Sequence, residues 1–209
     1  MQPPELDGLR AGTVTLRRHP APQLTFTPMR RQTPMARIPY AEKGQEAEGA
    51  TPVYEQLEQA MGLVPNVVKL LGHSGPATQG IGTLLDIYFG QLSITDRVRE
   101  IAYLTVARLN GCDYCQGHHV PAARQAGLLD MQIEDLGEDG FDSGEFSEPE
   151  RAVIRFAYET TRDVKASDEA MEELKAHFSN QAIAEITFVV ASGNFIQRVG
   201  KNLGVELEG

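Results

Sequence analysis

A chain of 209 residues with 41% hydrophobic content is long enough for one main domain with a sizeable core. A net charge of −10 speaks against a nucleic-acid-binding surface, and no apolar run approaches the roughly 18 residues that a membrane-spanning helix needs. Long stretches at helical spacing, few strand-like alternations and the absence of tryptophan make an all-α protein the expected class.

Residues 1–34 differ in composition from the rest of the chain. Five arginines against Glu5 and Asp7 set this segment at +3 and the remainder at −13, and six prolines interrupt apolar periodicity. Such a stretch buries too little apolar surface to order itself, so a basic, proline-rich disordered tail is expected. Arg17-Arg18 is not followed by the apolar run of an export signal. Met35-Ala36-Arg37-Ile38-Pro39-Tyr40 opens like a domain, which makes Met35 the expected start and 35–209 the folded unit.

Thr51-Pro52 reads as an N-cap and first-turn proline, followed by a stripe of Val53, Tyr54, Leu57 and Met61 up to Gly62. A short helix opened by Pro65 runs to Gly72, and Ser74-Gly75-Pro76 starts a longer one reaching Gly90. His73 beside Gly72 reads as a capping or solvated residue, and Gly80 and Gly82 as sites of close helix packing. Thr95 caps a third pattern with Val98, Ile101, Ala102, Thr105 and Leu109 on one stripe.

Asn110-Gly111 then ends that helix, and the next one opens on both cysteines of the protein, Cys112 and Cys115. Two cysteines placed at random in such a chain fall three apart in only roughly 1 case in 100, so the pair reads as a redox C-x-x-C unit. At the positive end of a helix dipole both thiols are expected to ionise more readily. Cys115 and His119, four apart, share a helix face with Cys112 one turn above. That sets a base beside a nucleophile and a second thiol ready to resolve it. If the two helices fold into a hairpin, Glu100 and His119 lie about 15 and 14 Å from the turn, hence at one level. A carboxylate there would orient the imidazole.

Beyond Gly127, residues 134–148 are acidic and glycine-rich but lack calcium-loop spacing, and read as a solvated loop. Ser147-Glu148-Pro149-Glu150 is a capping box whose helix turns Ala152, Val153, Phe156, Ala157 and Thr160 inward. Ser167 caps the next, with Met171, Leu174 and Phe178 on its stripe. Ser179 starts a last helix, through Ile183, Ile186, Val189, Val190, Phe195 and Val199 to Gly204, apolar enough all round to be sandwiched. Asn194 and Arg198 read as a hydrogen-bonded or interface pair. His118, about 100° from His119 on its helix, reads as structural.

Other chemistries fit the motif less well. A structural zinc site draws ligands from two segments, and no second pair exists. Haem attachment needs histidine directly after the second cysteine, where Gln116 stands. Buried filler cysteines would leave the shared face and the carboxylate alignment as coincidences.

Glu100, Cys112, Cys115 and His119 spell E-x11-C-x2-C-x3-H. In this the chain resembles the AhpD-like alkylhydroperoxidases, in the peroxidase-related branch of the carboxymuconolactone decarboxylase-like superfamily. Gly62-Leu63-Val64-Pro65-Asn66, the Leu92–Leu109 segment, Gly127-Leu128 and Asn194–Arg198 extend the likeness over residues 35–204. The resemblance implies an all-α bundle whose central antiparallel helix pair carries the cysteines, assembled as a trimer or hexamer. It implies that Cys115 attacks a hydroperoxide, Cys112 resolves the sulfenic acid to a disulfide, and His119 with Glu100 relays protons. No flavin, haem or metal is implied, and the electrons come from an external dithiol, a lipoylated protein or a thioredoxin-like donor. A transient disulfide with no secretory signal suits the cytoplasm. One departure is Tyr114, which stands where the best-studied branch has histidine. Two alternatives remain open: a cofactor-free carboxymuconolactone-type decarboxylase, which works without a cysteine pair, and a redox-sensing oligomeric module.

Overall fold

The computed structural model describes residues 36–209, so the basic tail and Met35 lie outside the described residues. Within that range the chain forms helices and no strand: α1 Thr51–Met61, α2 Asn66–Leu71, α3 Gly75–Gly90, α4 Asp96–Leu109, α5 Asp113–Gln125, α6 Asp130–Asp135, α7 Glu148–Asp163, α8 Asp168–His177 and α9 Asn180–Leu203. The ends are set by local chemistry. Ser74, Thr95, Ser167 and Ser179 each accept a hydrogen bond from the backbone N–H three residues on, satisfying donors that an isolated helix start leaves unpaired. At α7 the Glu150 carboxylate accepts from the Ser147 backbone N–H at 2.8 Å and its hydroxyl at 2.9 Å. Gly62 and Gly204 close α1 and α9 in the left-handed region, at φ 77° and 70°. Val164 does the same for α7 at φ 69° without glycine's freedom.

The bundle is built around α4, which packs against α5, α7 and α9. Every residue from Glu100 to Ala107 is buried, a run too long for a one-sided amphipathic helix. Ile101, Leu104 and Val106 are completely enclosed, each worth about 1.5–3 kcal/mol of apolar burial.

Some expectations change. The enclosed helix is α4; α9 buries one face, through Ile186, Val189, Val190 and Ile196, and leaves Phe195 44% exposed. Leu109, expected inside, is also exposed. On α7, Thr161 is buried where Thr160 was expected, while Ile154 joins the core. Thr51 is the first helical residue and not the cap; its hydroxyl donates to Glu46 Oε1 at 2.9 Å. A Cβ at Gly82 would lie 2.6 Å from Val53 Cγ1, so Gly82 does permit α1 and α3 to approach, whereas Gly80 faces open space. The connector after Gly127 holds α6 and a 3-10 turn, Glu138–Gly140, where a loop was expected. His73 lies exposed with Nε2 2.7 Å from the Pro39 carbonyl.

Candidate active site

The turn from α4 to α5 is held from three sides. Gly111 takes φ 59°. The Cys112 N–H donates to the Ala107 carbonyl at 2.9 Å, and Lys201 Nζ from α9 donates to the carbonyls of Asn110 and Gly111 at 2.6 and 2.8 Å. Cys112 is thereby fixed as the N-cap of α5, its Sγ accepting from the Cys115 N–H at 3.3 Å. Asn110 Nδ2 donates to Asn194 Oδ1 at 3.1 Å, and Asn194 also receives Arg198, so that pair is a hydrogen-bonded brace behind the turn.

With the turn set, α4 and α5 run antiparallel and bring Glu100 and His119 together, Nδ1 to Oε2 at 2.8 Å. Glu100 is 1% exposed, and a carboxylate so enclosed must be paired. It accepts from Tyr88 hydroxyl at 3.1 Å and Arg99 Nε at 3.3 Å on its other oxygen. Because a carboxylate only accepts, the His119 proton sits on Nδ1 and Nε2 is left as the basic nitrogen. The ring is gripped as well: Tyr103 stacks on it at 3.7 Å between centroids, and Tyr88 meets it edge-on at 5.5 Å.

The two thiols are not equivalent, contrary to the expectation that the helix dipole would favour both as thiolates. The Cys112 pKa is lowered, first by its hydrogen bond with Cys115, against the effect of burial, and with help from Lys201. Cys115 is pushed well up by its interaction with Cys112, by burial and by the charge Cys112 carries. One negative charge shared by two adjacent sulfurs settles on the one with more donors. Nor is either thiol openly exposed: Cys112 and Cys115 are 1% and 2% accessible. Access runs through a cavity of about 130 Å³ that Cys115 lines and Cys112 does not. Its walls are mostly apolar, including Leu63, Val67, Leu85, Phe89 and Ile196, with Tyr103, His118 and His119 also lining it.

His118 turns aside from this group. Its Nε2 pairs with Glu208 Oε2 at 2.7 Å, and the other Glu208 oxygen accepts from the Asn66 N–H at 2.6 Å and Tyr114 hydroxyl at 3.0 Å. Tyr114 and His118 therefore fasten the C-terminal segment beside the cavity. Sequence reasoning missed Tyr88, Arg99, Tyr103 and Glu208. For Tyr103 there was a signal, since it follows Glu100 by one helical turn on a helix otherwise apolar at that level; Tyr88 and Glu208 come from distant segments and carried none. No group of three or more His, Cys, Asp or Glu side chains is arranged to hold a metal among the described residues. No described helix is long and apolar enough to cross a membrane.

Residues 83–139, which span the end of α3, α4, α5 and α6, match the model of the carboxymuconolactone decarboxylase family. Over 133 residues the chain is 23% identical to the uncharacterized protein YdfG of Bacillus subtilis (strain 168), covering 61% of this chain and 89% of that one. Its fold is similar to the alkylhydroperoxidase AhpD core of an uncharacterized peroxidase-related protein from Ralstonia eutropha JMP134, with a TM-score of 0.66 and 19% identity over 84% of this chain and 93% of that one. It is equally similar to a cysteine-to-alanine variant of the debrominase Bmp8 in complex with 2,3,4-tribromopyrrole, with a TM-score of 0.66 and 20% identity over 87% and 94% of the two chains.

Proposed function

We propose that this chain, whose residues 83–139 match the carboxymuconolactone decarboxylase family and whose fold is that of AhpD-like proteins, is a thiol-dependent peroxidase that reduces organic hydroperoxides through Cys112 and Cys115. The observation that carries this reading is the asymmetry of access. Cys115 lines an apolar cavity together with His119, while Cys112 sits behind it with a lowered pKa. Access of that kind suits a peroxidatic thiol in front and a resolving thiol behind it; the lowered pKa falls on the resolving sulfur and does not support that division.

In the first step Cys115, as thiolate, attacks the distal oxygen of R–O–O–H. The S–O bond forms, the O–O bond breaks, and the electron pair leaves with RO⁻. That alkoxide takes the proton which His119 Nε2 received from Cys115, giving ROH and a sulfenic acid. Glu100 holds the ring and stabilises the imidazolium between the two transfers. In the second step the Cys112 thiolate attacks the Cys115 sulfur, forms the disulfide and expels hydroxide, which takes up the proton that Cys112 released on ionising and leaves as water. An external dithiol, of the lipoyl or thioredoxin-like kind, returns two electrons. The cavity is comparable to the apolar cavity of about 150 Å³ that holds benzene in an engineered protein, so a compact apolar R group is the fitting substrate. We further propose that the protein works in the reducing cytoplasm, where a transient disulfide suits the cysteine pair, and that it is a homo-oligomer, as the family resemblance implies.

A second reading takes the same pair to a carbon–bromine bond, favoured by the apolar cavity beside Cys115 and by the likeness to a debrominase. Thiolate attack on bromine, with a proton taken up at carbon, gives a sulfenyl bromide that Cys112 converts to the disulfide and bromide. One experiment separates the readings. Free thiols are titrated before and after one equivalent of cumene hydroperoxide or of a brominated pyrrole, in wild type and in Cys112→Ser and Cys115→Ser variants. Loss of two thiols with the hydroperoxide, and a sulfenic acid trapped at Cys115 in Cys112→Ser, supports the peroxidase. Bromide release alone moves the assignment to dehalogenation. Thiols inert to both refute both readings and leave the decarboxylase.

A further inference from the structure

Two walls of the cavity come from distant parts of the chain: Pro65 and Val67 at the start of α2, and Tyr114 and His118 beside Cys115 on α5. One carboxylate is bonded to both. Glu208 Oε1 accepts from the Asn66 N–H at 2.6 Å and from the Tyr114 hydroxyl at 3.0 Å, and Oε2 pairs with His118 Nε2 at 2.7 Å. The Tyr114 hydroxyl in turn accepts from the Val67 N–H at 3.5 Å. The first two N–H groups of α2, which a helix start leaves without intrahelical partners, are thus satisfied from α5 and from the segment after α9.

We propose that Glu208 is a specificity-determining residue: by tying the start of α2 to Tyr114 and His118 it fixes the width of the cavity in front of Cys115 and so limits the organic group that can reach the sulfur.

Each residue leading up to Glu208 is anchored, so the carboxylate is delivered to one place. The Val205 N–H donates to the Gly200 carbonyl at 2.9 Å, the Glu206 N–H donates to the Tyr40 hydroxyl at 3.1 Å, and the Glu206 carbonyl accepts from Asn66 Nδ2 at 3.0 Å. Leu207 lies against α5 at Gly117, where a Cβ would stand 2.6 Å from Leu207 Cδ2. Glycine is a poor residue inside a helix; here its missing side chain lets the segment lie on the cysteine helix two residues from Cys115. Burial works to raise the Glu208 pKa, but the Asn66 N–H, His118 and Tyr114 outweigh it and leave it below 4.5, so the group remains a carboxylate near neutrality. The Tyr114 and His118 rings also meet edge-on, 4.7 Å between centroids. Without Glu208 the two rings lose the partner they share and can turn outward, widening the cavity toward the place the carboxylate leaves. This assignment rests on Cys115 as the attacking thiol of the proposed reaction.

The test reads access to Cys115 and needs no peroxide. In a Cys112→Ser background, which leaves one thiol, alkylation rates are measured with iodoacetamide and with N-naphthyl iodoacetamide, which carry the same reactive group on different bulk. Glu208→Ala should raise the rate with the naphthyl reagent about tenfold, the low end of what the fit of a pocket discriminates, and leave the iodoacetamide rate within about twofold. Glu208→Gln keeps an oxygen for the Asn66 N–H and the Tyr114 hydroxyl and should retain the preference of the parent. Leu207→Ala loosens the segment over Gly117 without touching the carboxylate and should shift the ratio of rates the same way as Glu208→Ala. An unchanged ratio in Glu208→Ala, or in Leu207→Ala should Glu208→Ala not fold, overturns the assignment, as does equal acceleration of both reagents, which marks a general opening of the fold. In peroxide turnover Glu208→Ala should move the preference from tert-butyl toward the larger cumene hydroperoxide, through KM. Wild-type thiols inert to hydroperoxide would instead refute the peroxidase, while the alkylation ratio still decides on Glu208.

Discussion

Replacing Glu100 by glutamine tests the Glu100–His119 pair more sharply than removing it, because the isosteric amide forces a choice of hydrogen bonds. Two donors, the Tyr88 hydroxyl at 3.1 Å and Arg99 Nε at 3.3 Å, converge on Oε1, and His119 Nδ1 meets Oε2 at 2.8 Å. An amide offers one oxygen and one NH₂. Turning the NH₂ toward Arg99 sets donor against a cation that cannot accept. Turning it toward His119 is accommodated by a tautomer swap: Nδ1 accepts and the proton moves to Nε2. The second arrangement is therefore favoured, and it removes the lone pair that takes the Cys115 proton. The analogous Asp-to-Asn change in the serine-protease triad costs about 10⁴ in kcat through the wrong tautomer, and loss of a general base costs about 10²–10⁴. Losing charge-assisted hydrogen bonds costs about 1–3 kcal/mol, below the stability of an ordinary domain, so the variant should remain folded. Stopped-flow thiol loss with cumene hydroperoxide should slow by about 10²–10⁴, with ¹⁵N chemical shifts reporting the proton on Nε2. A rate within threefold of wild type would refute the base assignment and the relay with it.

The unequal thiols predict a directional response. Replacing Cys112 by alanine removes both the hydrogen bond and the negative charge that hold Cys115 up, so the Cys115 pKa should fall from its value in the wild-type pair, read at 240 nm; a rise would contradict the shared-charge description. Glu150 predicts acid sensitivity. Burial pushes its pKa up, but the Ser147 N–H and Arg97, at 2.5 Å, outweigh it and leave the value below 4.5. A carboxylate depressed in the folded state contributes stability above its unfolded pKa and loses it as pH falls through the folded one. Glu150→Gln should therefore cost about 1–2 kcal/mol at pH 7 by urea denaturation, with the difference from wild type fading below about pH 4.5. Val164, left-handed at φ 69° and 87% exposed, should be improved by glycine. Relief of about 1–2 kcal/mol of backbone strain, less the entropy glycine adds to the unfolded chain, leaves a gain of about 0.5–1 kcal/mol; a lower thermal midpoint for Val164→Gly would show that the strain is absent.

Helix starts and stops were legible because caps are local: Ser74, Thr95, Ser167 and Ser179 each accept from the N–H three residues on, and Glu150 accepts from the Ser147 N–H, so spacing alone reveals them. The alignment of Glu100 with His119 was legible for a related reason. A tight turn at Asn110-Gly111 and a fixed rise per residue leave a helical hairpin only one register. What could not be read were quantities that depend on several segments at once. Exposure is one: the same apolar periodicity describes α4, enclosed by α5, α7 and α9, and α9, which shows Phe195 to solvent. The environment of the thiols is another. Sequence placed both at a helix start, where the dipole favours charge on either, but only the packed molecule supplies Lys201 from α9 to one and opens the apolar cavity to the other. Sequence by itself determined which groups meet along one hairpin, since covalent geometry is short-ranged. Tertiary structure alone decided which sulfur bears the charge and which faces the cavity, since electrostatics and burial sum over every element packed around them.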